Sequence, residues 1–187
     1  ERIGIYGHSG GGFMSAAALL REPYNDFFKV AVASAGNHDN NVYNRYWAER
    51  YHGLREVEVK KKKGKQAGDK QEGESAEDSD EGEQKKEEET ETRFEIDVPT
   101  NASLAANLKG HLLLVHGEMD NNVHPAGTLR LVDALIKANK RFDMLILPGK
   151  RHGFGSFNDY FTQRKWEYFA EHLLGDQQTS ADIKQKE

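Results

Sequence analysis

The chain has 187 residues, a formal net charge of −5 at pH 7 and no cysteine, which excludes disulfide bonds. No apolar run reaches the roughly 20 residues that a membrane-spanning helix needs. Residues 56–97 carry 16 acidic and 9 basic side chains, and because the remainder is close to neutral at +2, no basic face for nucleic acid is expected.

A serine motif stands near the start of the chain. Residues 7–11 read Gly-His-Ser-Gly-Gly, after the short apolar run 3–6 and before the small-residue helical stretch 13–20. Strand, sharp turn and helix are the context of a nucleophile elbow, with Ser9 at the strained turn. The glycines two residues before and after Ser9 are then expected to be sterically required, and the Gly10 N–H to point at a developing oxyanion. The alternative is a glycine-rich turn without chemistry.

The next elements are a strand at residues 30–34 and a helix at 43–51. Residues 56–97 then break the pattern, since they are rich in Lys, Glu, Ser and Gly and nearly free of apolar side chains. Such a composition cannot offset the entropy of ordering, so it predicts a disordered, solvated insert. A short helix near residues 102–107 resumes the fold.

An acid and a histidine follow in the order that a serine hydrolase needs. Asp120 comes just after the apolar strand 111–115, and His152 comes just after the apolar strand 142–147. Between them, residues 125–140 have helical spacing of apolar side chains, which here are Leu129, Leu131, Val132, Leu135 and Ile136. Strand, helix and strand form a right-handed parallel crossover, which brings both loops to the sheet edge that holds Ser9. A serine hydroxyl needs a histidine base, and that base needs an acid to orient it.

Several alternatives to these assignments stay open. Glu118 is a second acid in the same loop as Asp120, and either acid could be an ordinary loop residue. Four further histidines compete for the role of base: His8, His38, His116 and His124. No metal or cofactor is expected, because no histidine pair has metal-ligand spacing and cysteine is absent.

The end of the chain completes an α/β pattern. Residues 160–174 predict an amphipathic helix that turns Phe161, Trp166, Phe169 and Leu173 toward the sheet. Residues 177–187 form a polar tail. The fold class is therefore α/β, with four parallel strands alternating with helices over residues 1–176.

Four stretches of the sequence together resemble one known family: residues 7–13, 35–39, 47–54 and 108–125. They are similar to the prolyl oligopeptidase family of serine peptidases, in particular its dipeptidyl peptidase IV-like branch. The resemblance covers roughly residues 1–55 and 98–174. It implies Ser9 as nucleophile, Asp120 as orienting acid and His152 as general base.

The resemblance also implies a pocket for a proline- or alanine-sized side chain beside the cleaved bond of a peptide substrate. Tyr43, Trp47 and Tyr51 fall in the matching stretch, with Asn122 and Val123 at its rim. The three aromatic residues are spaced by four, so packing along one helix face is an equally good explanation. An esterase or acylaminoacyl-peptidase is the alternative activity.

The resemblance implies that the chain is the C-terminal part of an α/β-hydrolase domain. The rest of that domain, a second oxyanion donor and a β-propeller would then belong to a longer parent protein, which could form a homodimer. A periplasmic or cell-envelope location follows if the likeness to bacterial members holds. Alone, the chain would expose an apolar sheet edge and aggregate, and it could be a catalytically incompetent fragment.

Overall fold

The computed structural model describes residues 2–60 and 90–177. A four-stranded sheet has the order β1-β2-β5-β6, and every neighbouring pair is parallel. Its strands are β1 (Gly4–His8), β2 (Val30–Ser34), β5 (His111–Gly117) and β6 (Asp143–Leu147). The predicted parallel sheet is therefore confirmed. Because all four strands run the same way, the loops that leave their carboxyl ends meet at one edge.

Helices connect and cover these strands. They are α1 (Gly10–Leu20), α2 (Tyr24–Phe27), α3 (Arg45–His52), a 3₁₀ helix (Ala102–Asn107), α4 (Ala126–Lys137), a second 3₁₀ turn (Gly155–Phe157), α5 (Asn158–Phe169) and a π turn (Ala170–Leu174). Every residue of β2 is buried, as expected for a central parallel strand covered on both faces. Alternate residues of this strand therefore belong to two separate cores.

One core joins α1 and α4 to the sheet, and its buried members include Leu19, Leu20, Ala31, Ala33, Leu112, Leu114, Leu131 and Leu135. The other core lies on the α5 side, and it includes Val30, Val32, Leu113, Val115, Leu147, Phe154 and Tyr168. The alternation along β2 and β5 thus splits their apolar residues between the two faces.

Trp166, which is predicted to face the sheet, does not, since it is 59% exposed. Leu129 and Ile136, two of the apolar residues at helical spacing in α4, are 54% and 63% exposed as well. In α4 the buried stripe runs through Leu131 and Leu135, one turn apart, whereas Leu129 and Ile136, two turns apart, lie together on another face of the helix. Phe161, Phe169 and Leu173 do pack on the α5-side core, as predicted.

The predicted disorder of residues 56–97 is wrong at both ends. Strands β3 (Leu54–Lys60) and β4 (Thr90–Ile96) pair in a two-stranded sheet, and the described residues from Leu54 to Glu95 belong to a compact unit of their own. An ion pair of 3.5 Å joins Arg55 to Glu95. The rest of the predicted insert, residues 61–89, and residues 178–187 of the predicted tail lie outside the described residues.

Over the two described ranges, no helix combines the length and the apolar character that crossing a bilayer requires.

Candidate active site

Ser9 sits at a strained turn between β1 and α1. Its backbone has φ 59° and ψ −123°, which is unusual for a residue with a side chain. Two hydrogen bonds hold the turn: Ser9 N donates to the Ser34 carbonyl at 2.9 Å, and Phe13 N donates to the Ser9 carbonyl at 3.0 Å. The serine side chain therefore stands at the carboxyl edge of the sheet, at the start of a helix.

The glycines around Ser9 differ in whether the structure leaves space for a side chain. A Cβ on Gly7 would lie 2.8 Å from the Gly11 Cα and overlap the Gly11 carbonyl, so no side chain fits there. A Cβ on Gly12 would lie 3.1 Å from the Gly36 Cα and overlap the Ser34 carbonyl. A Cβ on Gly11 would meet nothing within 4 Å. The prediction that Gly11 must lack a side chain is therefore wrong. Gly7 must lack one because the Gly11 backbone lies against it, and Gly12 must lack one because α1 approaches β2 at this point.

Gly10 is the first residue of α1, and the Ser9 side chain does not cap the helix. The N–H groups of the first helical turn have no partner within the helix, and the helix dipole favours negative charge beside them. The Gly10 N–H therefore has the position and the polarity of an oxyanion donor.

Asp120 and His152 meet at the same edge of the sheet. His152 Nδ1 lies 2.7 Å from Asp120 Oδ2, although 32 residues separate them in sequence. The other carboxylate oxygen, Oδ1, accepts the N–H groups of Asn122 and Val123, each at 2.9 Å. Asp120 is only 2% exposed, so the carboxylate is fixed by its own loop and presents one oxygen to the histidine.

The environment keeps Asp120 ionised. Burial raises the pKa of this carboxyl, but the hydrogen bonds from His152 and from the N–H groups of Val123 and Asn122 outweigh burial and hold the pKa below its ordinary value. The rival acid Glu118 is exposed, and it accepts the Gly149 N–H at 3.0 Å instead. Of the two acids, Asp120 is the one bonded to His152.

His116 lies behind Asp120 and is fully buried. Its Nε2 lies 2.9 Å from the Val123 carbonyl and 3.3 Å from Asp120 Oδ2, while its Nδ1 lies 2.7 Å from the Thr128 hydroxyl. Nε2–H therefore donates, and Nδ1 accepts from Thr128. Burial lowers the pKa of His116 against the raising effect of the Val123 carbonyl. With both nitrogens engaged, His116 supports Asp120 and has no nitrogen left for Ser9.

Each of the remaining rival histidines has one ring nitrogen in a contact away from Ser9. His38 is 1% exposed and bonds Asn101 at 2.9 Å, and burial lowers its pKa to about 3. His124 Nδ1 accepts the Ala126 N–H of its own loop at 3.2 Å. His8 Nδ1 lies 2.9 Å from the Ser34 hydroxyl.

Within residues 2–60 and 90–177, no hydrogen bond joins the side chains of Ser9 and His152, although both residues follow strands of the same parallel sheet at its carboxyl edge. Because Asp120 engages Nδ1 of His152, Nε2 is the nitrogen left to face a nucleophile. Catalytic hydrogen bonds are often long before substrate binds and tighten in the complex.

The predicted pocket residues divide into two groups. A cleft of about 490 Å³ is lined by Tyr43, Asn122 and Val123, by the rival histidines His38 and His124, and by residues for which the sequence predicted no role, namely Asn37, Asp39, Val42, Asn44, Ala126, Gly127 and Arg130. The Tyr43 hydroxyl lies 3.4 Å from Asn122 Oδ1, and Arg130 pairs with Asp39 at 3.1 Å across the cleft lining. Residues 35–39 are one of the stretches that resemble the prolyl oligopeptidase family. That resemblance is the feature of the sequence that could have pointed to Asn37 and Asp39 as cleft residues.

Trp47 and Tyr51 are not part of that lining. The Trp47 ring lies 5.6 Å from the Tyr43 ring and 5.4 Å from the Tyr51 ring, so the three do share one face of α3 and the residues before it. Trp47 is 36% and Tyr51 61% exposed, which argues against simple core packing. The structure therefore brings Tyr43, Asn122 and Val123 together and leaves Trp47 and Tyr51 at increasing distance along the same face.

No group of three or more potential metal-binding side chains lies together among the residues that the structure describes. Among the polar side chains at this edge, Asp120 and His152 are hydrogen-bonded to each other, and Ser9 stands at the elbow between β1 and α1.

Comparison with known proteins shows similarity to a family of peptidases. The sequence model of the prolyl oligopeptidase family matches residues 1–67 and 67–176. Human dipeptidyl peptidase 8 is 30% identical over 152 residues, which cover 81% of this chain and 13% of that protein. The structure of Porphyromonas gingivalis dipeptidyl peptidase 4 superposes with a TM-score of 0.63 at 26% identity, over 92% of this chain and 20% of that one.

The acylaminoacyl peptidase of Pyrococcus horikoshii shares the fold, with a TM-score of 0.57 and 17% identity over 92% of this chain and 24% of that one. The chain has a partial α/β-hydrolase fold and belongs to the prolyl oligopeptidase family. It spans between about an eighth and a quarter of the length of these relatives.

Proposed function

We propose that this chain carries the catalytic side chains of a serine peptidase of the dipeptidyl peptidase type, with Ser9 as nucleophile, His152 as general base and Asp120 as orienting acid. The observation that carries the proposal is the 2.7 Å bond from His152 to the buried Asp120, at the sheet edge where Ser9 stands at a strained elbow. Fold, residue order and hydrogen bonding then support the same three side chains.

In the proposed reaction, His152 Nε2 takes the Ser9 hydroxyl proton as Oγ attacks the carbonyl carbon of the scissile bond. The C–O bond that forms creates a tetrahedral oxyanion beside the Gly10 N–H. When the intermediate collapses, the C–N bond breaks and the leaving amine takes the proton from His152. Water, deprotonated by the same imidazole, then hydrolyses the acyl-enzyme and regenerates Ser9.

Asp120 has a defined task in both halves of the reaction. Each half passes through a positively charged His152 imidazolium, and the ionised carboxylate stabilises that charge. The N–H groups of Asn122 and Val123 hold the carboxylate in place, so little reorganisation is needed when the charge appears.

Gly10 supplies one oxyanion donor, and we infer that a second comes from elsewhere in a longer parent protein. The relatives are several times longer than this chain, which supports a parent with the first half of the hydrolase domain and a β-propeller. Loss of one oxyanion donor typically costs about 100- to 1,000-fold in rate, so tests of activity belong on the full-length protein.

The proposed substrates are peptides with proline or alanine beside the cleaved bond. The names of the dipeptidyl peptidase relatives support peptides as substrates, and the preference for proline or alanine is what the resemblance implies. Around the cleft, Tyr43 supplies an aromatic wall, Asn122 a polar amide and Val123 an apolar side chain. A small, flat P1 side chain such as proline would pack against the Tyr43 ring.

A chromogenic substrate panel on the full-length protein tests this function. Gly-Pro and Ala-Ala substrates with a free amino terminus are expected to be cleaved, and acetyl-Ala is not. A His152→Gln variant is the control, since it keeps a polar side chain but cannot act as base. Preference for acetyl-Ala would favour an acylaminoacyl-peptidase, and turnover that survives in the His152→Gln variant would contradict the proposed base.

A further inference from the structure

The ring of His8 lies against the ring of His152. Their centroids are 4.7 Å apart with an interplanar angle of 54°. The buried Phe154 meets His8 edge-on at 5.3 Å, and Phe161 meets Phe154 in turn at 5.2 Å. His8, although exposed to solvent, thus contacts both the histidine of the candidate triad and the aromatic cluster on the α5 side of the sheet.

Ser34 fixes the orientation of the His8 ring. The Ser34 hydroxyl donates its one proton to the Gly7 carbonyl at 3.0 Å, so the 2.9 Å bond between His8 Nδ1 and Ser34 Oγ must use a proton on Nδ1. Ser34 is 1% exposed, and its carbonyl accepts the Ser9 N–H. The same buried serine therefore anchors both the His8 ring and the backbone of Ser9.

His152 needs such a support. Its only side-chain hydrogen bond in the described residues is the one to Asp120, and a single bond at Nδ1 leaves the imidazole free to swing about that contact. The His8 ring, packed against the His152 imidazole, restricts that swing, so that Nε2 of His152 stays directed to one side. Small displacements at this position matter, because a shift of about 1 Å can cost about 100-fold in rate.

We propose that His8 is a positioning residue: held by Ser34, it packs against the His152 imidazole and keeps Nε2 directed toward Ser9. The inference rests on the proposed function, since it assigns His8 a part in the same reaction. It also accounts for a histidine directly before Ser9, where one of its ring nitrogens, Nδ1, is directed to Ser34.

The charge state of His8 is part of this role. The titratable groups that face it are His152 and, farther away, Asp120 and His116. Burial and then the neighbouring His152 lower the pKa of His8, against the Asp120 charge and the His152 carbonyl, which raise it. A protonated His8 would repel the imidazolium that His152 becomes during the reaction. Lowering the pH should therefore slow the reaction of the wild-type protein through the charge on His8.

The test is the rate of fluorophosphonate labelling at Ser9 between pH 5 and pH 9, in the full-length protein. His8→Ala removes the ring and is expected to slow labelling at pH 8 by about tenfold or more. His8→Phe keeps a ring on His152 but cannot be protonated, so it should stay within about threefold of wild type at pH 8 and retain more of that rate at pH 5 than wild type does. His111→Phe is the matched control, because His111 is the first residue of β5 and the candidate site lies beyond the carboxyl end of that strand. This variant should label like the wild type.

Thermal unfolding of each variant separates positioning from folding, because the rate loss in His8→Ala should occur with a melting temperature near that of wild type. The inference is overturned if His8→Ala labels at the wild-type rate, or if both His8 variants slow equally and keep the wild-type pH profile. Failure of the wild-type protein to label at Ser9 would contradict the proposed function itself, and the inference with it.

Discussion

The backbone of Gly11 occupies the space into which a side chain on Gly7 would project. A Cβ on Gly7 would overlap the Gly11 carbonyl and lie 2.8 Å from its Cα, whereas a Cβ on Gly11 would meet nothing within 4 Å. The tight turn at Ser9 therefore depends on the first glycine of the Gly-x-Ser-x-Gly motif for space, and on the second only through its backbone.

This asymmetry predicts different outcomes for two identical substitutions. Gly7→Ala should force the Ser9 turn open, with a loss of at least about 1–3 kcal/mol in stability and of Ser9 reactivity. Gly11→Ala should be neutral or slightly stabilising, because alanine is favoured in a helix by roughly 0.5–1 kcal/mol. Melting temperature and fluorophosphonate labelling of the two variants measure this. Equal losses of melting temperature and labelling in both variants would contradict the difference in space between the two glycine positions.

Asp120→Asn should abolish most activity without unfolding the protein. The asparagine Oδ1 can still accept the Asn122 and Val123 N–H groups, which turns its NH₂ toward His152 Nδ1. That nitrogen must then accept, so His152 carries its proton on Nε2 and cannot take one from Ser9. A fall of about 10⁴-fold in kcat is expected for this wrong tautomer. Steady-state kinetics check it, and a loss of only a few-fold would argue against Asp120 as the orienting acid.

The two ends of the aromatic row on α3 should contribute unequally to substrate binding. Tyr43 lines the cleft and contacts Asn122, so Tyr43→Ala is expected to lower kcat/KM for a Gly-Pro substrate by about tenfold, equivalent to ~1.4 kcal/mol. Tyr51 is 61% exposed and outside the cleft lining, so Tyr51→Ala should have little effect. Similar losses in both variants, matched by similar losses in melting temperature, would favour a structural role for the whole row.

His38 should make the fold sensitive to acid. Burial, followed by the charge of His116, lowers its pKa from 6.5 to about 3. Between these values the unfolded chain binds a proton that the folded chain does not, so stability falls as the pH drops from about 6.5 toward 3. The slope contributed by this one group reaches at most ~1.4 kcal/mol per pH unit.

Urea unfolding at pH 7 and pH 5 measures the effect. His38→Gln keeps an acceptor for Asn101 but does not titrate, so the difference in stability between the two pH values should shrink relative to wild type. An unchanged difference would mean that the acid sensitivity comes from other groups.

The sequence predicted the parts of the site that depend on topology. Ser9, Asp120 and His152 each follow an apolar strand, and parallel strands place such loops at one edge, so the meeting of Asp120 with His152 could be anticipated. The packing of His8 on His152 could not, because it depends on side-chain rotamers and on the Ser34 hydroxyl. The wrong prediction that Gly11 must lack a side chain has the same origin, since a sequence motif gives the spacing of its residues but not their contacts.

The flanks of the charged insert were missed for a different reason. Average composition over residues 56–97 is strongly polar, which predicts disorder. Yet Val57 and Val59 in β3, and Phe94 and Ile96 in β4, alternate with polar residues as strands do. A shorter window at each end would have revealed this period of two. Trp166 shows the limit of helical spacing, since an apolar residue one position off the buried face remains exposed.

The most direct test of the account is active-site labelling of the full-length protein with a fluorophosphonate, followed by identification of the modified peptide. Ser9 alone should be modified, and Ser9→Ala should abolish the signal, while Ser15→Ala, which changes a buried serine bonded to the Gly11 carbonyl on the same helix, should leave labelling at Ser9. A folded protein whose Ser9 does not react, or whose labelling persists in Ser9→Ala, would contradict the claim that Ser9 is an activated nucleophile.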